Sequence, residues 1–276
     1  MSRETALRKP RAKIGPGAIV AYILALITVA PLLWMALSAF RPGAEVFSAS
    51  WPKHLTLDNF TFVLTEVPFF TYLGNSALVS VVVTVVSLFL HTMCGYALAR
   101  MRFRGRGLFF GMVVSTLFVS LPVILVPLFM VTRALGMVDT YFGLIVPALF
   151  NAFGIFLLRQ FYLNIPSELE DAARLDGCGY LRMYWHLILP LSRPIMSSLA
   201  VLFFLANWNS FVWPLTVAQS ENLRVVQVGI SSLSGQYGAD YQYILAASVL
   251  AAIPTVIVFI FGQRRLVDSL KTTGLK

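Results

Sequence analysis

Six stretches of this chain, each roughly 20 residues long, contain no Asp, Glu, Lys or Arg, and nothing else in the sequence constrains the fold as strongly. They lie at approximately 17–40, 75–97, 108–131, 141–158, 195–217 and 244–262. A helix needs about 20 mostly apolar residues to cross the hydrocarbon core of a bilayer. Six such runs predict an all-α membrane protein, a bundle of six transmembrane helices in one domain spanning 1–276. Composition agrees: 58% of the 276 residues are hydrophobic and 12% are charged, about half the charged share of a soluble domain. Basic residues precede the first run, and Ala36-Leu37-Ser38 is a passable cleavage site. That run is nevertheless longer than the usual 7–15 apolar residues of a signal peptide, so it reads as a span.

The net charge of +9 is a topological signal. Lys and Arg are scattered in short clusters between apolar runs, unlike the exposed basic stripe of a nucleic-acid reader, so no nucleic-acid partner is expected. With the N-terminus in the cytoplasm, 17 basic residues fall inside: those of the tail, Arg100 to Arg106, the 159–193 loop and the C-terminus. Four remain outside: Arg41, Lys53, Arg133 and Arg224. Acidic residues divide evenly, as expected where only Lys and Arg set orientation. Both termini are therefore expected in the cytoplasm.

The apolar runs lack the machinery of an independent pump. His91 is their only imidazole or carboxylate, whereas a proton-coupled transporter keeps ionisable groups in its interior. His91 reads better as an interhelical hydrogen-bonding residue than as a relay. An ion-coupled secondary transporter is the alternative reading, and the missing carboxylate counts against it. None of the five lysines follows a glycine, so there is no P-loop and no ATP site. No catalytic triad elbow or zinc-protease pair appears. Cys94 and Cys178, with the dispersed His54, His91 and His186, fit neither a disulfide framework nor a metal site. No catalytic residue, metal or resident cofactor is expected.

Uncharged polar groups do occur in the runs: Asn75, Asn151, and Asn207-Trp208-Asn209. Amides beside indoles suit a sugar, whose hydroxyls need hydrogen bonds and whose ring faces stack. The same residues also suit an interfacial aromatic belt with Asn joining helices. Both readings stand at this point. Pro122, Pro127, Pro147, Pro214 and Pro254 interrupt the runs and predict kinks.

The 161–193 loop is not a flexible linker. Ser167 followed by Glu170 is a capping-box spacing, acidic residues crowd the first turn, and Gly177 supplies a stop. The spacing predicts a helix of about two and a half turns, followed by a second helix from about 180 to 189. Leu169, Ala172, Ala173 and Asp176 share one face, and two alanines there permit close approach by a partner. A helix this short needs something to pack against.

Glu170-Asp171-Ala172-Ala173-x-x-Asp176-Gly177, followed by Leu189-Pro190-Leu191-x-x-Pro194, resembles the EAA loop of ABC-importer permeases. Asp171 stands where Glu is usual and Cys178 where Ala is common. Ala97-x-Ala99-Arg100-x-Arg102-Phe103-x-Gly105 and the C-terminal Gln263-Arg264-x-Leu266 to Gly274-x-Lys276 are similar to the smaller permease of maltose-type carbohydrate importers. The resemblance implies a multi-pass protein of a prokaryotic inner membrane. Its implied partners are a second permease, two cytoplasmic ABC ATPases that use ATP and magnesium, and an extracytoplasmic sugar-binding protein. Glu170, Asp171, Ala172, Ala173, Asp176 and Gly177 would dock an ATPase, with a secondary contact near Gly274.

Overall fold

The computed structural model describes residues 16–273 apart from 49, 53 and 237–239, with the backbone alone described at 16, 235, 236 and 264–273. The N-terminal basic cluster, Gly274 and Lys276 lie outside the described residues. Every regular element among the described residues is helical: α1 (Pro16–Ser38), α2 (Asp58–Thr65), α3 (Phe69–Arg100), α4 (Arg106–Ser115), α5 (Leu121–Ala134), α6 (Tyr141–Ile145), α7 (Ala152–Leu163), α8 (Ser167–Leu175), α9 (Tyr180–Met183), α10 (Leu189–Leu191), α11 (Arg193–Trp208), α12 (Val212–Val217), α13 (Val226–Gln236) and α14 (Tyr241–Thr273).

Four segments are each long and apolar enough to cross a membrane: Gly17–Ser38, Phe69–Arg100, Tyr141–Leu163 and Tyr241–Gln263. Two bent pairs raise the number to six if each is one span. These are Arg106–Phe118 with Leu121–Ala134, bent by 110°, and Tyr180–Leu191 with Arg193–Trp208, bent by 73°. The run at 108–131 is therefore broken at 119–120, and the run at 195–217 stops at Trp208 and resumes as α12, as the prolines in them predict. Proline is the physical reason. Its ring clashes with the carbonyl four residues back and it donates no hydrogen bond, but it is harmless in a first turn. Pro122 sits at the start of α5 and Pro214 in the first turn of α12, so the chain breaks just before each. Pro127 and Pro254, by contrast, lie inside helices.

A third break, at Pro147 between α6 and α7, is repaired by neighbours. Ser87 Oγ donates to the Leu149 carbonyl at 2.9 Å, and the Asn151 amide donates to His91 Nε2 at 3.2 Å. Asn151 Oδ1 caps α7 by accepting from the Gly154 amide at 3.1 Å. Backbone groups freed inside a low-dielectric bundle must find such partners. His91 thus accepts through Nε2 and serves the helix junction.

The long helix α3 lies at the centre, packed against α7 and α11. Gly95 allows the close approach of α3 and α7: a Cβ there would lie 3.0 Å from Leu158 Cβ and 3.2 Å from the Arg159 amide nitrogen. Apolar side chains on α1, α4, α5 and α14 point outward, as suits a bundle whose solvent is lipid.

The end of α3 near Phe69 is tied to the 220–226 segment. Asn75 Nδ2 donates to the carbonyls of Asn222 at 2.7 Å and Arg224 at 2.9 Å, while its Oδ1 accepts from Tyr141 Oη at 2.7 Å. Ser76 Oγ accepts from the Val226 amide at 2.8 Å, and Tyr72 Oη donates to Glu221 at 3.0 Å. At the same end Asp139 accepts from the amides of Ser220 at 2.8 Å and Gln219 at 2.9 Å. The Ser220 bond, helped by that from Gln219, holds the Asp139 carboxyl below its ordinary pKa. Asn75→Leu is expected to leave two carbonyls unpaired, at about 1–3 kcal/mol each where buried. Thermal unfolding of the detergent-solubilised chain should show a clear drop in midpoint, and an unchanged midpoint would refute the role.

Candidate coupling site

At the opposite end of α3 the chain builds a junction between α3, α7 and α8. Arg100, in the last turn of α3, places Nε 2.9 Å from Glu170 Oε1. Its Nη2 donates to the Tyr162 carbonyl at 2.8 Å and also to the Ile165 carbonyl. Both side chains are withdrawn from solvent, with exposures of 14% for Arg100 and 4% for Glu170. Arg174 approaches the other carboxylate oxygen at 3.7 Å and pairs with Asp171 at 3.2 Å.

Two more arginines close the end of α3. Arg159 Nε donates to the Leu98 carbonyl at 3.2 Å, with its guanidinium 3.8 Å above the Phe110 ring. Arg106 Nη1 reaches the carbonyls of Ala99 at 3.4 Å and Met101 at 3.3 Å. Cations at a helix C-terminus satisfy its orphan carbonyls and oppose its dipole. In the sequence Arg106 and Arg159 stand out as part of the charge asymmetry. The available signal for their packing role was their spacing around the end of a long apolar run.

Helix α8 forms where it was expected but begins differently. Its N-cap is Pro166, which makes no side-chain capping bond, and Ser167 is the first helical residue. The capping box is therefore absent. Proline occupies the cap position, and Glu170 turns inward to Arg100 instead of back to the cap. Glu170 is the buried residue of α8, so it is not on the open surface with the other residues expected to dock an ATPase. Leu169, Asp171, Ala172 and Asp176 are exposed, and Ala173 is half-buried.

The exit matches the expectation. Gly177 has φ +76°, the Cys178 amide donates to the Ala173 carbonyl at 2.9 Å, and the Gly177 amide donates to the Arg174 carbonyl at 2.9 Å. These two bonds are a Schellman motif, which needs a left-handed residue at the glycine position.

The second helix runs to Leu191 and contains a π-helical segment, Tyr184–Ile188. Pro190 accounts for it: a widened turn spares the ring the clash and the missing donor that an α-helix would impose. This segment seats on the bundle through aromatic and hydroxyl contacts. Tyr184 and Thr92 hydroxyls are 2.7 Å apart, Tyr96 Oη donates to Met183 sulfur at 3.4 Å, and Ser192 Oγ donates to Tyr162 Oη at 3.2 Å.

The candidate path residues do not form one surface. Asn75 is spent on the three bonds described, and Asn151 caps α7. Trp208 is only 2% exposed, with its indole Nε1 donating to the Ala251 carbonyl at 3.1 Å. Asn75 and Trp208 thus join separate parts of the bundle, and the Asn151 side chain ends its own helix. Asn207 and Asn209 bond back to the carbonyls of Phe203 and Leu205, each at 2.8 Å, and Asn209 Oδ1 also accepts from Gln227 Nε2 at 3.3 Å.

Comparison with known proteins bears on the whole chain. Residues 91–271 match the family described as binding-protein-dependent transport system inner membrane component. The arabinooligosaccharides transport system permease protein AraQ of Halalkalibacterium halodurans is 39% identical over 259 residues, covering 92% of this chain and 93% of that protein. The sn-glycerol-3-phosphate transport system permease protein UgpE of Yersinia enterocolitica is 35% identical over 205 residues, 74% of this chain and 73% of its own. The lactose transport system permease protein LacG of Rhizobium radiobacter is 27% identical, over 90% and 91% of the two chains. Among solved structures, a chain of a bacterial ABC transporter involved in import of the acidic polysaccharide alginate superposes with a TM-score of 0.78 at 25% identity, covering 90% of this chain and 94% of that one.

Proposed function

Belonging as it does to the family of binding-protein-dependent transport system inner membrane components, this chain is a permease subunit of a carbohydrate importer, and we propose that it couples transport to ATP through α8. In this reading the whole chain is one permease domain with six spans, counting each bent pair as one, and both termini in the cytoplasm. It forms half of the translocation path beside a second permease. Two cytoplasmic ATPases bind ATP and magnesium, and an extracytoplasmic binding protein delivers the sugar. Family membership favours this over an ion-coupled carrier acting alone.

One observation carries the coupling role: α8 presents Leu169, Ala172 and Asp176 outward, with Ala173 half-buried beside them, while Glu170 is anchored beneath. A short helix with small residues on its open face accepts a partner at close range, and Asp171 and Asp176 meet basic or amide groups at its edge. Asn207 and Asn209 line the path in this reading, and the binding protein does most of the substrate selection. The test is reconstitution in vesicles with arabinooligosaccharide, lactose and sn-glycerol-3-phosphate offered separately. Uptake is expected only with ATPase, partner permease and binding protein all present. Gradient-driven uptake by the purified chain alone would overturn the reading.

A further inference from the structure

We propose that Arg100 is a positioning residue for coupling: it locks α8 to α3 and α7, so that displacement of α8 moves those two helices as one body. The proposal deepens the coupling role assigned to α8 and rests on it. Three observations converge on this residue. Glu170 is the buried residue of α8, and its ion-pair partner in the bundle, among the described residues, is Arg100 at 2.9 Å. The same guanidinium holds the carbonyls of Tyr162 and Ile165, which flank the elbow between α7 and α8. Arg100 itself ends the long central helix α3, whose other end is tied through Asn75 to the 222–224 segment.

The chemistry suits a linkage better than a glue. A buried ion pair contributes little net stability over apolar packing, but it fixes geometry, because either partner left alone is a buried uncompensated charge. The planar guanidinium engages carboxylate and carbonyls together, which a lysine ammonium cannot do with the same geometry. Arg174, the other cation near Glu170, belongs to α8 itself and is half exposed. It cannot link α8 to the bundle. Arg106 bonds the carbonyls of Ala99 and Met101, makes no ion pair with α8 among the described residues, and provides a control.

The experiment uses the full chain assembled with its ATPase in vesicles. Cys94 and Cys178 are replaced by serine, and nitroxides are placed at Met93→Cys on α3 and Glu168→Cys on α8. The wild-type pair should give one narrow distance, unchanged between nucleotide-free and vanadate-trapped states. Arg100→Gln should retain the ATPase and its hydrolysis, yet broaden that distance and let it shift by roughly 2 Å on trapping, the scale of helix shifts at interfaces. Glu170→Gln should broaden it less, and Arg106→Gln not at all. Distances as fixed in Arg100→Gln as in wild type would overturn the proposal, as would equal loosening by Arg106→Gln. Loss of both Arg100→Gln and Glu170→Gln from the membrane would make the pair a folding element and also overturn it. A wild-type chain that fails to retain the ATPase would instead refute the coupling role of α8.

Discussion

Gly177→Val is expected to lower ATP-driven uptake about tenfold or more while leaving membrane insertion intact, since a branched side chain in left-handed backbone costs ~1–2 kcal/mol or more. Gly177 sits at φ +76°, and nothing lies within 4 Å of where its Cβ would be. The change therefore introduces no clash within the chain. Its cost falls on the backbone and is relieved by abandoning the two bonds that end α8. The open face of α8 and the entry to α9 then lose their fixed relation. Gly179 is the internal control: its φ is −74° and its surroundings are equally open, so Gly179→Val should transport nearly normally. Cross-linking of a single cysteine at Ala172 to the ATPase should be efficient in the parent and weak in Gly177→Val. Equal cross-linking and uptake in both glycine variants would remove α8 from the coupling mechanism.

Leu158→Ala is expected to produce the largest loss of stability, about 2–5 kcal/mol by the cost of emptying a packed site. Leu158 is 0% exposed and belongs to a cluster with Tyr96, Tyr162, Tyr184, Ile188, Leu199 and Phe203. That cluster joins α3, α7, α11 and the π-helical segment after α8. In a bilayer the helices are held together by close packing more than by exclusion of water, so a cavity here loses attraction that nothing replaces. Thermal unfolding in detergent should show a fall in midpoint well beyond that of Leu202→Ala, whose side chain is 41% exposed. Equal midpoints for the two variants would mean that α7 is not packed as described.

What could be read without coordinates was whatever depends on neighbours in sequence. Apolar runs without charge give helices because each backbone amide is satisfied within its own segment. Gly177 was legible as a stop because a left-handed residue ending a helix is a local requirement of a few consecutive bonds. The position of α8 and the composition of its open face followed in the same way.

The tertiary structure decided whatever depends on groups far apart in the chain. Glu170 looked like half of a capping box, but Arg100, 70 residues earlier, takes its carboxylate into a buried pair. Asn75 looked free for a sugar until residues 141, 222 and 224 consumed it, and Trp208 turned into the core to meet the Ala251 carbonyl. Pro122, Pro127 and Pro214 marked the runs at 108–131 and 195–217 as interrupted, but hydropathy does not register which prolines break a helix and which it absorbs. A buried polar group takes the nearest good partner in space, and only the packing of the helices determines which partner that is.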